Sequence, residues 1–146
     1  MIEKGGRLRY FHTPDLRAKT LKPLIDRHVA VNTRHIVTDS AMVYPFALDE
    51  TFKPKHRTVN HTIEWVSPEG FTTNAIESAF SLQRRGMIGS FHRVSIKHLH
   101  RYLSEFETRF NERQNPDRFS TLVGRMCRTK TMPYQKLIAE PAEKVN

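Results

Sequence analysis

Asp39 ends a short β-branched run, His35-Ile36-Val37-Thr38-Asp39, and Glu77 stands in the opening turns of a stretch that begins Thr72-Thr73-Asn74. Two carboxylates brought to one point by separate elements offer the oxygen ligands that a hard cation such as Mg²⁺ requires. A pair of such ions can activate a hydroxyl and stabilise the leaving oxygen of a phosphodiester. Plainer roles exist for both acids: Asp39 as a cap after a strand, and Glu77 as a favourable charge near a helix N-terminus. Asn74, one turn before Glu77 on the same face, is either a further polar ligand or a cap. Arg84 lies seven residues after Glu77, two turns along that face. It can reach a phosphate beside the acids or sit in solvent. His56, Asn60 and His61 invite a metal or HNH-nuclease reading, but no acid completes such a motif. Cys127 between Arg125 and Arg128 can have a depressed pKa; without a partner base, an inert thiol is the expectation.

These residues need elements to hold them. Gly5-Gly6 reads as a hairpin turn, and Arg7 to Phe11 has strand-like composition. Thr13-Pro14-Asp15 opens a helix with Asp15 as N-cap and an apolar side of Leu16, Leu21, Leu24 and Ile25. The helix ends before Val31. A short buried strand then delivers Asp39 at its C-terminal end, and a helix follows through Met42, Val43 and Phe46. After the basic connector Lys53 to Arg57, residues 56–61 form the next strand. Ser67-Pro68-Glu69-Gly70 marks a turn, and the helix opened at Asn74 carries Ile76, Ala79, Phe80 and Leu82 until Gly86 and Gly89 interrupt it. The longest helix runs from Ser95 to about Arg113, with an apolar stripe of Leu99, Tyr102, Leu103, Phe106 and Phe110 at spacings of one helical face. Phe119 to Met126 forms a further short helix. Strands alternating with helices imply an α/β fold with a small sheet.

The 146 residues suit one domain with a modest core, at 38% hydrophobic content and 27% charge. That composition excludes a fully disordered chain. No apolar run approaches the ~18–20 residues of a membrane span, and the opening residues lack a signal-peptide core. One cysteine excludes an internal disulfide framework and a Cys-rich zinc site. A reducing, cytoplasmic setting follows. The net charge is +9, and the stretch from Arg84 to Lys130, with eleven basic and four acidic residues, carries +7 of it. Nucleic acid is the expected partner, since each neutralised phosphate releases counterions; the plainer reading is a solvated basic face. A membrane surface is not expected, since no stretch pairs an all-basic face with a broad apolar one.

The run His56-Arg57-Thr58-Val59-Asn60-His61, then Glu64-Trp65-Val66, then Thr73-Asn74-Ala75-Ile76-Glu77-Ser78 resembles the catalytic core of bacterial insertion-sequence transposases of the DDE-type insertion-sequence-1595 family. The resemblance continues through Arg84-Arg85-Gly86, Gly89-Ser90-Phe91-His92, Val94 to Leu99, Arg101 to Phe106 and Arg109-Phe110-Asn111. Upstream, Gly5 to Arg9, Thr38-Asp39 and Tyr44 also fit, so it covers about residues 1–113. It implies an RNase H-like fold, a mixed sheet flanked by helices, and a Mg²⁺- or Mn²⁺-dependent cleavage of transposon ends with transfer of the 3′-hydroxyl into target DNA. By position Asp39 resembles the second acid of the catalytic triad and Glu77 the third, with Asn74 the alternative third ligand. Both acids are thereby implied metal ligands. DNA contacts are implied at Arg84, Arg85, His92, Arg93, Lys97 and Arg101. Arg84 stands where the family usually has lysine, keeping the charge with a different geometry, and Phe80 where tryptophan is common. The family's first aspartate lies on a strand upstream of the Gly5-Gly6 hairpin, and this chain begins inside that hairpin. The expectation is therefore a partial catalytic domain over 1–113, lacking the first strands of its sheet and inactive alone, with a tail over 114–146. The alternatives are a non-enzymatic basic DNA-binding module and an RNase H-like nuclease completed by another subunit. A homo-oligomer is a further implication of the family.

Overall fold

The computed structural model describes residues 1–60 and 66–139. The expected end of the second strand at His61, and the Glu64-Trp65 pair of the resemblance, lie outside the described residues. Two compact units make up the chain: His12–Leu82, and Met1–Phe11 together with the residues from Gln83 onward.

In the His12–Leu82 unit, α1 (Ala18–His28) has Arg17 as its N-cap and not Asp15. Asp15 acts just upstream, where its Oδ1 accepts from the Arg17 N–H at 3.0 Å and the Thr20 hydroxyl at 2.6 Å. This turn starts the helix later than expected and leaves Leu16 outside it and exposed. Pro23 falls inside α1, where its missing N–H costs one helical hydrogen bond. Packing offsets that loss. Ile25 is buried with Ala47, Leu48 and Phe52, and Leu21, Val29 and Ile36 close around them. Full burial of side chains of this size stabilises by about 1.5–3 kcal/mol each.

Asp49 sets Phe52 into this core, its Oδ1 accepting from the Thr51 and Phe52 N–H groups at 3.0 and 3.1 Å. The helix expected through Met42 begins only at Tyr44: α2 (Tyr44–Ala47) is four residues long, with Pro45 in its first turn. Met42 and Phe46 are exposed.

β1 (Ile36–Asp39) and β2 (His56–Val59) pair in parallel, with Ile36 opposite His56 and Asp39 opposite Val59. A parallel pair requires a crossover of a dozen or more residues, which the segment carrying α2 provides. Asp39 closes β1 as expected, but the strand is half-buried and Asp39 exposed, because β1 has β2 as its only described neighbour. The structure is thus mixed α/β with a two-stranded parallel sheet. α3 (Asn74–Gly86) opens where expected.

In the other unit, Gly5 at φ +69° turns the N-terminal segment back on itself. The strand expected at 7–11 reduces to one antiparallel bridge, Ile2 to Leu8. The reason is that Leu8 gives its backbone to a side chain: Asn111 Oδ1 accepts from the Leu8 N–H at 2.7 Å and Asn111 Nδ2 donates to the Leu8 carbonyl at 3.0 Å.

Gly86 does not break α3 but ends it, and Met87–Phe91, including Gly89, continues as a wider π-helical turn. Gly86 is required by a close approach, since a Cβ there would meet the Phe106 ring at 2.5 Å. Phe91 stacks edge-on against Tyr102 and Phe106 at 4.7 and 6.1 Å.

The expected long helix starts as a tighter 3-10 turn, Ile96–His98, and becomes α4 (Leu99–Asn111). Its stripe points inward, with Leu103 buried. α5 (Arg118–Arg128) contains the expected 119–126 helix; Arg125 bonds Glu112 at 2.5 Å, while Phe119, Val123 and Met126 stay exposed. α6 (Tyr134–Ile138) was not expected; at five residues it is too short for its apolar positions to form a sustained period.

Candidate functional site

Asp39 ends β1 opposite Val59, and its side chain is exposed there. Its Oδ1 accepts weakly from the Ala41 N–H at 3.4 Å. The Thr38 hydroxyl lies 2.8 Å from both the Asp39 carbonyl and His56 Nε2. Thr38 has one proton for two neighbours, so the set is satisfied when His56 Nε2–H donates to Thr38 and Thr38 donates to Asp39. Tyr44 stacks at 6.5 Å from His56. Its hydroxyl pKa is raised, first by burial and then by the negative charge of Asp39. His56 is pushed below its ordinary pKa by burial and by the neighbouring Arg57 charge. Asp39 thus has a supporting shell of Thr38, Tyr44 and His56. Of these, the positional match of Tyr44 hinted at a role, whereas the His56–Thr38 link depends on the parallel register and has no local signal.

Glu77 sits in the first turn of α3. The buried Thr73 hydroxyl donates to Glu77 Oε1 at 2.8 Å, which fixes one carboxylate oxygen. Asn74 is the exposed first residue of the helix, and its N–H donates to the Thr72 hydroxyl at 3.1 Å. The first helical N–H groups, those of Ile76 and Glu77, go to the Thr73 carbonyl, so Thr73 and not Asn74 stands at the helix entry. Both acids belong to the same unit, yet among the described residues no group of three or more His, Cys, Asp or Glu assembles. The expected ligands, the Asp39 and Glu77 carboxylates and the Asn74 amide oxygen, are all oxygen donors. That suits Mg²⁺, which usually takes one or two carboxylates and completes its shell with water and substrate phosphate.

The expected DNA contacts lie in the other unit. Arg84 and Arg85 occupy the last turn of α3 and are exposed. His92 takes φ +55° directly after the π turn, and the Arg93 N–H closes back on the Phe91 carbonyl at 2.5 Å. This three-residue turn of the positive-φ kind is strained, and it holds His92 and Arg93 out in solvent. Lys97 and Arg101 flank the start of α4 and are half-buried. Lys97 Nζ donates to the Ile138 carbonyl at 2.5 Å, and Arg101 Nη1 lies 3.0 Å from Met132 Sδ. Both contacts escape sequence reasoning, because they cross 41 and 31 residues. A polar cleft of about 180 Å³ along Arg7, Arg9, Glu107, Asn111 and Arg125 mixes both signs of charge and makes no anion seat. Cys127 is exposed and free.

A basic α/β chain with one carboxylate at the end of a short strand and another in the first turn of a helix is the broad class defined by these features. The family model of the ISXO2-like transposase domain matches residues 1–111. The chain therefore belongs to this DDE-type family of insertion-sequence transposase domains. No curated protein and no solved structure matches it. Among the described residues, no helix is long and apolar enough to cross a membrane.

Proposed function

We propose that the chain acts on DNA in transposition as part of an RNase H-like catalytic domain, with Asp39 and Glu77 as the acids of a divalent-metal site. The observation that carries this reading is the family match over 1–111 combined with the position of Asp39 at the C-terminal end of a parallel strand. Asp39 and Glu77 would hold Mg²⁺ or Mn²⁺, with Asn74 as a neutral oxygen donor. When bound, the metal supplies Lewis-acid activation of the attacking hydroxyl and of the leaving phosphodiester oxygen. Thr73 orients the Glu77 carboxylate, and the His56–Thr38 pair orients the backbone carrying Asp39. Arg84, Arg85, His92, Arg93, Lys97 and Arg101 bind and register the phosphate backbone without reading sequence.

The test is Mg²⁺-dependent nicking and strand transfer on duplex DNA, run beside a Mg²⁺ titration followed by heteronuclear NMR. Shifts centred on Asp39 and Glu77, abolished in Asp39→Asn and Glu77→Gln, are expected. Absence of both shifts and nicking would remove the catalytic reading.

A second reading, a non-enzymatic basic DNA-binding module, draws on the +7 carried by the stretch from Arg84 to Lys130. It requires Asp39→Asn to leave DNA affinity intact or raised; a collapse of affinity in the presence of Mg²⁺ would exclude it.

A further inference from the structure

Two of the cations assigned above to DNA are already engaged by the chain itself. The Ile138 carbonyl takes Lys97, and the Met132 thioether takes Arg101. Beside them, His98 Nδ1 and Arg101 Nε are buried with no hydrogen-bond partner among the described residues. Polar atoms removed from water without a partner are an unfavourable arrangement. It marks a seat whose present occupant does not satisfy it.

That occupant is poorly held. α6 contributes no buried residue, and Met132, Tyr134 and Ile138 are 54%, 72% and 51% exposed. A thioether is a weak acceptor, and a backbone carbonyl carries no formal charge. A phosphate offers several charged acceptor oxygens to the same donors and forms the stronger, charge-assisted bond. The covering segment also lies beyond the residues matched to the transposase domain, which end at 111.

We propose that residues 131–138 are a displaceable cover over an anion seat made by Lys97, His98 and Arg101, and that a DNA phosphate expels the cover when it binds. The inference rests on the DNA-binding reading above and adds an autoinhibitory contact to it. The cover lowers DNA affinity in the resting chain by engaging Lys97 and Arg101, and releases residues 131–138 once the seat is taken.

The test uses the full chain and a short DNA duplex at low salt. Hydrogen exchange is followed at Lys136, Leu137 and Ala139, whose N–H groups close the turns of α6. Their exchange should speed up at least tenfold on saturation with DNA; unchanged or slowed exchange would overturn the proposal. Binding to the same duplex is then compared for three variants. Met132→Ala should tighten binding two- to threefold by weakening the cover. Met132→Glu should weaken it about tenfold more than Met126→Glu, which makes the same charge change at an exposed position on α5. Equal affinities for the two glutamate variants would sink the cover and leave DNA binding standing. If the wild type and all three variants fail to bind the duplex, the DNA reading itself falls.

Discussion

His56 shows how one residue ties the sheet to the candidate acid. Its side chain reaches Thr38 from the adjoining strand, and Thr38 reaches the carbonyl of Asp39. Burial first and the Arg57 charge second depress its pKa, so the folded chain prefers the neutral ring. The unfolded chain takes up the proton at the ordinary value near ~6.5. Below that pH, and down to the lowered folded value, the unfolded state binds more protons, so stability falls as pH falls through this window. We expect urea unfolding to show this loss as pH falls below the ordinary histidine value of ~6.5, and His56→Gln to flatten it. Wild type and variant losing stability in parallel would show that His56 does not carry the effect. The same variant breaks the link to Thr38, so the NMR shifts of Asp39 on Mg²⁺ addition should broaden or weaken.

At the scale of elements, the Asn111 amide ties the N-terminal hairpin to α4. Asn111 satisfies both the donor and the acceptor of Leu8, whose side chain is fully buried. Asn111→Ala strands two backbone groups, and each unsatisfied group costs about 1–3 kcal/mol. A loss of roughly 2 kcal/mol in chemical denaturation is expected, with faster exchange of the Leu8 and Arg9 amides. Asn111→Asp keeps the acceptor, loses the donor and should fall between; a change within ~0.5 kcal/mol for Asn111→Ala would show that water replaces the amide without cost.

The contrast with the sequence is instructive here. Helices with a sustained apolar period, such as Leu99 to Phe110, were legible because the period itself encodes the buried face. The strand at 7–11 was not, because its backbone partner is a side chain 103 residues away. Asp15 was misplaced as a cap because an Asx turn and a cap share the same residue preference. α6 is only five residues long, so its one apolar set, Tyr134, Leu137 and Ile138, spans too short a stretch to stand out as a helical period. For the candidate site, Asp39 and Glu77 could be named from element ends and resemblance. Their supporting groups, Thr73 and the His56–Thr38 pair, follow only from register and helix entry.

At the scale of the whole molecule, acid and base are segregated along the chain. The stretch from Arg84 to Lys130 holds +7 of the net +9, while Asp39 and Glu77 lie outside it. Binding and chemistry should therefore respond to different substitutions. If five of the six assigned residues are charged at neutral pH and each neutralises one phosphate, log K against log salt should have a slope of about −4 to −5. The Arg84→Ala, Arg85→Ala double variant should lower affinity for unrelated duplexes alike and reduce that slope by about 2, since phosphate contacts carry no sequence information. Asp39→Asn should leave the slope where it is while abolishing any Mg²⁺ response. A fluorescence-anisotropy salt series on these proteins decides the matter. A slope unmoved by the arginine substitutions would mean that the basic stretch is a solvated surface and that DNA contacts lie elsewhere. A slope moved equally by Asp39→Asn would mean that the acid end of β1 is itself part of the binding surface.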